Sequence, residues 1–136
     1  MRRTFDIITL EWETVNSIKE LPKQSGVYQC YGDSPIYGRN CLLYIGQALD
    51  IRERIKIHLS GNPLSHQNNT NFRFAILSED RLTCTESILI STHKPSMNSD
   101  YINVPSETKK LVLIQNHGER GSLVLEVTNS HWIIDA

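Results

Sequence analysis

Apolar residues recur every third position at Trp12, Val15, Ile18 and Leu21, with Pro22 directly after, a spacing that predicts a short N-terminal helix. The period then changes. Val27–Tyr31 and Leu42–Ile45 read as strands, and the turn-rich stretch GDSPIYGRN between them predicts a hairpin with a long loop. Asp50 is placed to cap a helix over Ile51–Leu59, with Glu53 completing a capping box. A polar loop follows at Ser60–Asn71, then a strand at Phe72–Leu77 and a helix over Asp80–Thr92 that ends before Pro95. Further on, LVLIQ and LVLEV flank HGERG, a second hairpin over Leu111–Val127 that either extends the sheet or forms a homodimer seam through an edge strand.

Three strands and two helices between Val27 and Thr92 make an α+β unit with an extension at each end. The whole chain, 1–136, fits one domain with its core at about 25–99 and a C-terminal extension over about 104–136.

Composition changes this picture little. The net charge is −1, which does not announce a nucleic-acid binder, yet Tyr37–Ser60 carries Arg39, Arg52, Arg54 and Lys56 against Asp50 and Glu53. Cys30, Cys41 and Cys84 form an odd set with no ligand spacing, so reduced thiols and no zinc site are expected. No apolar run reaches the ~20 residues of a membrane span, and the N-terminal stretch lacks the pattern of a signal peptide. A cytoplasmic protein is the expectation.

The candidate chemistry lies beside the apolar stripes. At about 100° per residue, Ile51, Ile55 and Leu59 share one stripe of the first helix, and Arg54 and His58 border it. Either Arg54 snorkels and His58 is a satisfied ring at the core edge, or both serve a site. On the second helix Glu86 projects between Leu89 and Ile90. A buried carboxylate there needs a cation or a proton, unless Thr83 and Glu86 form a capping box that leaves Glu86 exposed. Tyr28 and Tyr44 fit ordinary core tyrosines with polar tips, and Gly46 either ends a strand or gives a ligand room. Two phenols, an imidazole, a guanidinium and a carboxylate together are the inventory of phosphodiester hydrolysis.

These residues also fall in a familiar order. Gly26-Val27-Tyr28 precedes Tyr44-Ile45-Gly46, Arg54 follows ten residues after Tyr44, and His58 four later. Glu86 then opens a run with Leu89, Ile90, Pro95 and Asn98. In this order and spacing the chain resembles the GIY-YIG nuclease family over roughly Ser25–Ser99. The resemblance implies a three-stranded antiparallel sheet flanked by helices, and a DNA endonuclease using one Mg²⁺ or Mn²⁺ ion held by Glu86. It implies that Arg54 binds the scissile phosphate, that Tyr28 or His58 takes the proton of the attacking water, and that Tyr44 hydrogen-bonds phosphate or water. Asn98 would brace the site. Gly46, Gln47, Arg39 and Lys56 complete the expected substrate contacts, with Gln47 where some relatives carry a lysine. The implied partner is duplex or structured DNA. An inactive nucleic-acid-binding module of the same fold, or an RNA-directed or toxin-like nuclease, is the alternative.

Overall fold

The computed structural model describes residues 4–60, 70–106 and 110–133. Six strands and two helices run in the order β1 (Asp6–Thr14), β2 (Gly26–Ser34), β3 (Gly38–Ala48), α1 (Ile51–Leu59), β4 (Asn71–Ile76), α2 (Leu82–His93), β5 (Val112–Gly118) and β6 (Glu126–Thr128). The strands form one mixed sheet in the order β3-β2-β4-β1-β5-β6. Among the described residues only β1 and β5 pair in parallel. The fold is α+β, but its sheet has six strands rather than three.

The N-terminal segment corrects the sequence reading. Instead of a helix through Trp12, the chain forms β1 and then a short 3₁₀ turn at Ile18–Glu20. Ile8, Leu10 and Trp12 are buried while Ile7, Thr9, Glu11 and Glu13 face solvent, a period of two that overrides the three-residue spacing. Pairing along β5, from Asp6↔Val112 to Trp12↔Gly118, satisfies the β1 backbone from more than a hundred residues away.

The expected loop of GDSPIYGRN is also mostly strand. β2 and β3 continue to Ser34 and from Gly38, leaving only a tight tip. The C-terminal segment extends the sheet: β5 lies beside β1, and β6 pairs with β5. Of LVLEV, only its last two residues enter a strand, while Leu123 turns into the core. Most of the Ser60–Asn71 loop lies outside the described residues.

Alternation along the strands sorts the core to the two sheet faces. Tyr28, Cys30, Leu43, Phe72 and Phe74 pack with Ile51 and Ile55 of α1. Val27, Ile45 and Ala75 pack with Leu82, Ile88 and Leu89 of α2, continuous with Ile8, Leu10, Trp12 and Ile114. The sheet joint between β4 and β1 is narrow, with Glu13↔Phe74 and Thr14↔Arg73 its only paired positions among the described residues.

No helix among the described residues is long and apolar enough to cross a membrane.

Candidate functional site

The helix α1 begins where the sequence places it, because the Asp50 carboxylate accepts the Glu53 N–H at 3.0 Å. Its buried stripe differs from the expected one: Ile51, Ile55 and His58 are buried, and Leu59 is exposed. The helix is short, and its last turn presents the imidazole to the sheet while Leu59 rotates outward. His58 stacks on Phe72 at 6.1 Å and sits against the rings of Tyr28 and Tyr44 at 5.3 and 5.9 Å.

Tyr28 Oη lies 2.6 Å from His58 Nε2 in a buried hydrogen bond. Burial first, then the neighbouring Tyr44, pushes the Tyr28 phenol far above its ordinary range. Burial keeps the phenol protonated, and with the imidazole proton on Nδ1 the phenol donates and Nε2 accepts. Gly46 makes the arrangement possible. It is paired with Tyr28 across the β2–β3 ladder, and a Cβ at this position would lie 2.5 Å from the phenol oxygen. The Tyr44 ring stands 6.0 Å from that of Tyr28, and its phenol is likewise pushed up by burial.

Arg54 is exposed on α1. Its guanidinium favours the ionised forms of Tyr28, Tyr44 and Glu86, so a single cation lies within electrostatic reach of all three. Arg52 does different work, donating to the Leu21 and Lys19 carbonyls at 2.7 and 3.1 Å and tying α1 to the 3₁₀ turn.

Glu86 lies inside α2, in its second turn, so the capping-box reading does not hold. Its half-buried carboxylate accepts from Gln47 Nε2 at 3.4 Å, and Gln47 also reaches Thr83 at 3.3 Å. Burial pushes the Glu86 carboxyl up, and Asp100 adds to this. Gln47 and Arg54 oppose it. Asn98 holds the outer edge of β3: its amide oxygen accepts the Ile45 N–H and its NH₂ donates to the Ile45 carbonyl, both at 2.9 Å. The Met97 N–H adds a bond to the Leu43 carbonyl at 2.8 Å. This side-chain imitation of a neighbouring strand fixes the segment that carries Tyr44 and Gly46.

Seven predicted residues thus gather around the outer edge of β3: Tyr28, Tyr44, Gly46, Gln47, Arg54, His58 and Glu86, with Asn98 bracing them. Two do not. Arg39 lies near the hairpin tip, roughly 20 Å along β3 from Gly46 at ~3.3 Å per residue. Lys56 is exposed, two positions beyond Arg54 and so on the other side of α1. Sequence reasoning missed Asp100, whose charge acts on both Glu86 and Tyr44. It follows a helix end in a polar turn and carries no periodic signal.

Among the described residues no three His, Cys, Asp or Glu side chains group as a metal site. The half-buried Glu86 carboxylate suits a hard divalent ion that keeps most of its waters and needs one or two carboxylates. No protein-family model, no curated protein and no solved structure matches this chain.

Proposed function

We propose that the chain is a divalent-metal-dependent endonuclease of GIY-YIG type that hydrolyses DNA phosphodiester bonds. One observation carries this reading: a phenol hydrogen-bonded to an imidazole at 2.6 Å, with a guanidinium and a half-buried carboxylate both acting on that phenol. On this reading β3, β2 and β4, which are contiguous and antiparallel, are the nuclease unit, and β1, β5 and β6 are an addition to it.

Arg54 binds the scissile phosphate and offsets the charge that grows on it. Tyr28 is too strongly held in its protonated form to act as a free base. It takes the proton of the attacking water as its own proton passes to His58 Nε2, so His58 is the final acceptor. The water oxygen bonds to phosphorus, the bond to the leaving sugar oxygen breaks, and that oxygen is protonated from solvent. Tyr44 orients the phosphate or the water, and Asn98 keeps β3 in register beneath them. Glu86 is the residue that would hold Mg²⁺ or Mn²⁺, with Gln47 steadying its carboxylate. When bound, such an ion supplies Lewis acidity and positive charge at the phosphate.

The test is cleavage of plasmid, nicked, branched and single-stranded DNA, and of RNA, under Mg²⁺ or Mn²⁺. Wild type is expected to cut DNA, and Arg54→Ala and Glu86→Ala to lose about 10³-fold in rate. A wild-type chain that cuts no substrate defeats the proposal. Glu86→Ala cutting as fast as wild type removes the metal role.

A further inference from the structure

The β2–β3 hairpin ends in a tip whose surface is at odds with its surroundings. Pro35–Asn40 are all exposed, and Ile36 and Tyr37, at 81% and 69%, are the two most exposed large apolar side chains among the described residues. The tip is nevertheless firmly built. Ser34 Oγ accepts the N–H groups of both Ile36 and Tyr37, at 3.2 and 3.1 Å. The Asp33 carboxylate accepts the Asn40 N–H at 3.0 Å, and Asn71 donates to the Asn40 side chain at 3.0 Å. A rigid turn that holds an aliphatic and an aromatic side chain out in water has already lost the entropy that binding would otherwise cost.

The side chains of the tip point to the partner. Arg39 is the one charged residue of Pro35–Asn40, while the Asp33 carboxylate at the base of the tip accepts the Asn40 N–H. An apolar wedge, an aromatic ring and a cation together match a nucleic acid, whose bases stack on rings and whose phosphates pair with arginine. The tip also rides on the same two strands as Tyr28 and Gly46. Along β2 the distance from Tyr28 to Ser34 is roughly 20 Å at ~3.3 Å per residue, about six base-pair steps at ~3.4 Å.

We propose that this tip is a wedge received by a nucleic-acid duplex where its stacking is already broken. Ile36 and Tyr37 enter the gap, and Arg39 sits on the flanking phosphate. The wedge selects nicked, flapped or branched substrates, because opening an intact stack costs several-fold more than entering a broken one. This inference rests on the nuclease reading for its cutting distance, though not for the wedge itself.

The test uses the full chain carrying Glu86→Ala, so that bound DNA is not cut, and duplexes with 2-aminopurine beside a nick or at the same place in an intact strand. Binding to the nicked duplex is expected to raise the fluorescence. In the Ile36→Ser/Tyr37→Ser variant that rise is lost, and affinity for nicked over intact duplex falls about tenfold. Tyr37→Phe, which keeps the ring, restores both. Arg39→Ala weakens binding to every substrate and lowers the salt slope by about one. With Glu86 restored, cuts fall about six base pairs from the nick. An unchanged fluorescence rise and an unchanged nicked-to-intact ratio in the double serine variant overturn the wedge, even if the wild type cleaves. A double serine variant that changes only the oligomeric mass in light scattering, or only vesicle binding, overturns it as well. A fluorescence rise without any cleavage by the wild type supports the wedge and defeats the nuclease reading alone.

Discussion

Tyr28 and Tyr31 stand three residues apart on β2, on opposite sheet faces, both buried and both pressed against a glycine. Tyr31 Oη donates to Gln29 Oε1 and accepts from the Ser122 N–H and Oγ–H at 2.9 and 3.1 Å. Arg73 lies over its ring at 5.2 Å and donates to the Glu119 carbonyl at 2.9 Å, while Gln29 donates to the Arg120 carbonyl at 3.2 Å. Every partner of the Tyr31 hydroxyl is an amide or a hydroxyl, so this cluster is a joint that fastens the 119–122 turn to the sheet. The Tyr28 hydroxyl instead meets the His58 imidazole at 2.6 Å and the Tyr44 phenol. The same residue type with the same burial becomes structure in one place and candidate chemistry in the other, because of what its oxygen touches.

The sharpest test of this contrast is the pair of phenylalanine variants. Tyr28→Phe should slow cleavage about 10²-fold, since it removes the proton path, and should cost about 1 kcal/mol of stability by leaving His58 Nε2 without its partner. Tyr31→Phe should cost more stability and leave the rate unchanged. It leaves the buried Gln29 amide without its donor and frees the exposed Ser122, and costs about 2 kcal/mol in denaturant unfolding, with the cleavage rate of the folded fraction kept. Equal losses of activity in the two variants would break the distinction.

The glycines sharpen it next. Gly121 has φ +64 and its Cβ would overlap Tyr31, so Gly121→Ala should cost ~2 kcal/mol of stability by urea titration. Gly46→Ala meets Tyr28 instead. It should displace the phenol from His58 and lower the cleavage rate by about 10²-fold, more than its effect on the unfolding midpoint would explain.

The smallest effects are in pH, and their signs are opposite. The Glu86 carboxyl is pushed above its ordinary 4.5, chiefly by burial, so the folded state keeps a proton that the unfolded state releases. Stability therefore falls as pH rises from about 4.5 through the folded value. Glu86→Gln should remove this slope and raise the urea midpoint of the metal-free protein at pH 7. His93 behaves in the other sense. Its Nδ1 donates to the Leu89 carbonyl at 2.9 Å and its Nε2 accepts the Val124 N–H at 3.1 Å, and burial lowers its pKa below 6.5. The unfolded state then binds the proton first, so stability is lost as pH falls from about 6.5. Hydrogen exchange at the Val124 amide, corrected for intrinsic rates, should accelerate between pH 7 and 5, and His93→Gln should abolish that step.

Much of the site half was legible along the chain. The Asp50 cap, the Ile51–Ile55 spacing, the three strands and the interior position of Glu86 in α2 all arise from contacts within a few residues or from a period of local origin. The β1-β5-β6 half was not. Trp12 reads as a helical residue beside Val15, but its indole N–H donates to Asn116 at 2.9 Å, and Asn116 in turn holds the Leu125 and Val124 carbonyls at 2.7 and 2.9 Å. No local period encodes a partner 104 residues away. Asp100 was hidden for the same reason, because its charge matters only once the segment after Asn98 folds back on Glu86 and Tyr44.

The sequence by itself determined which residues could carry the chemistry and the helices and strands that bear most of them. Capping, periodicity and the order of Tyr28, Tyr44, Arg54, His58, Glu86 and Asn98 are all properties of the chain read in one dimension. Only the tertiary structure decided that Tyr28 bonds to His58 while Tyr31 bonds to Gln29 and Ser122, that Lys56 and Arg39 stand apart from the cluster, and that Leu59 gives its place to His58. Those outcomes depend on which face of a strand meets which element, and that is set by long-range pairing and burial rather than by any residue's neighbours in sequence.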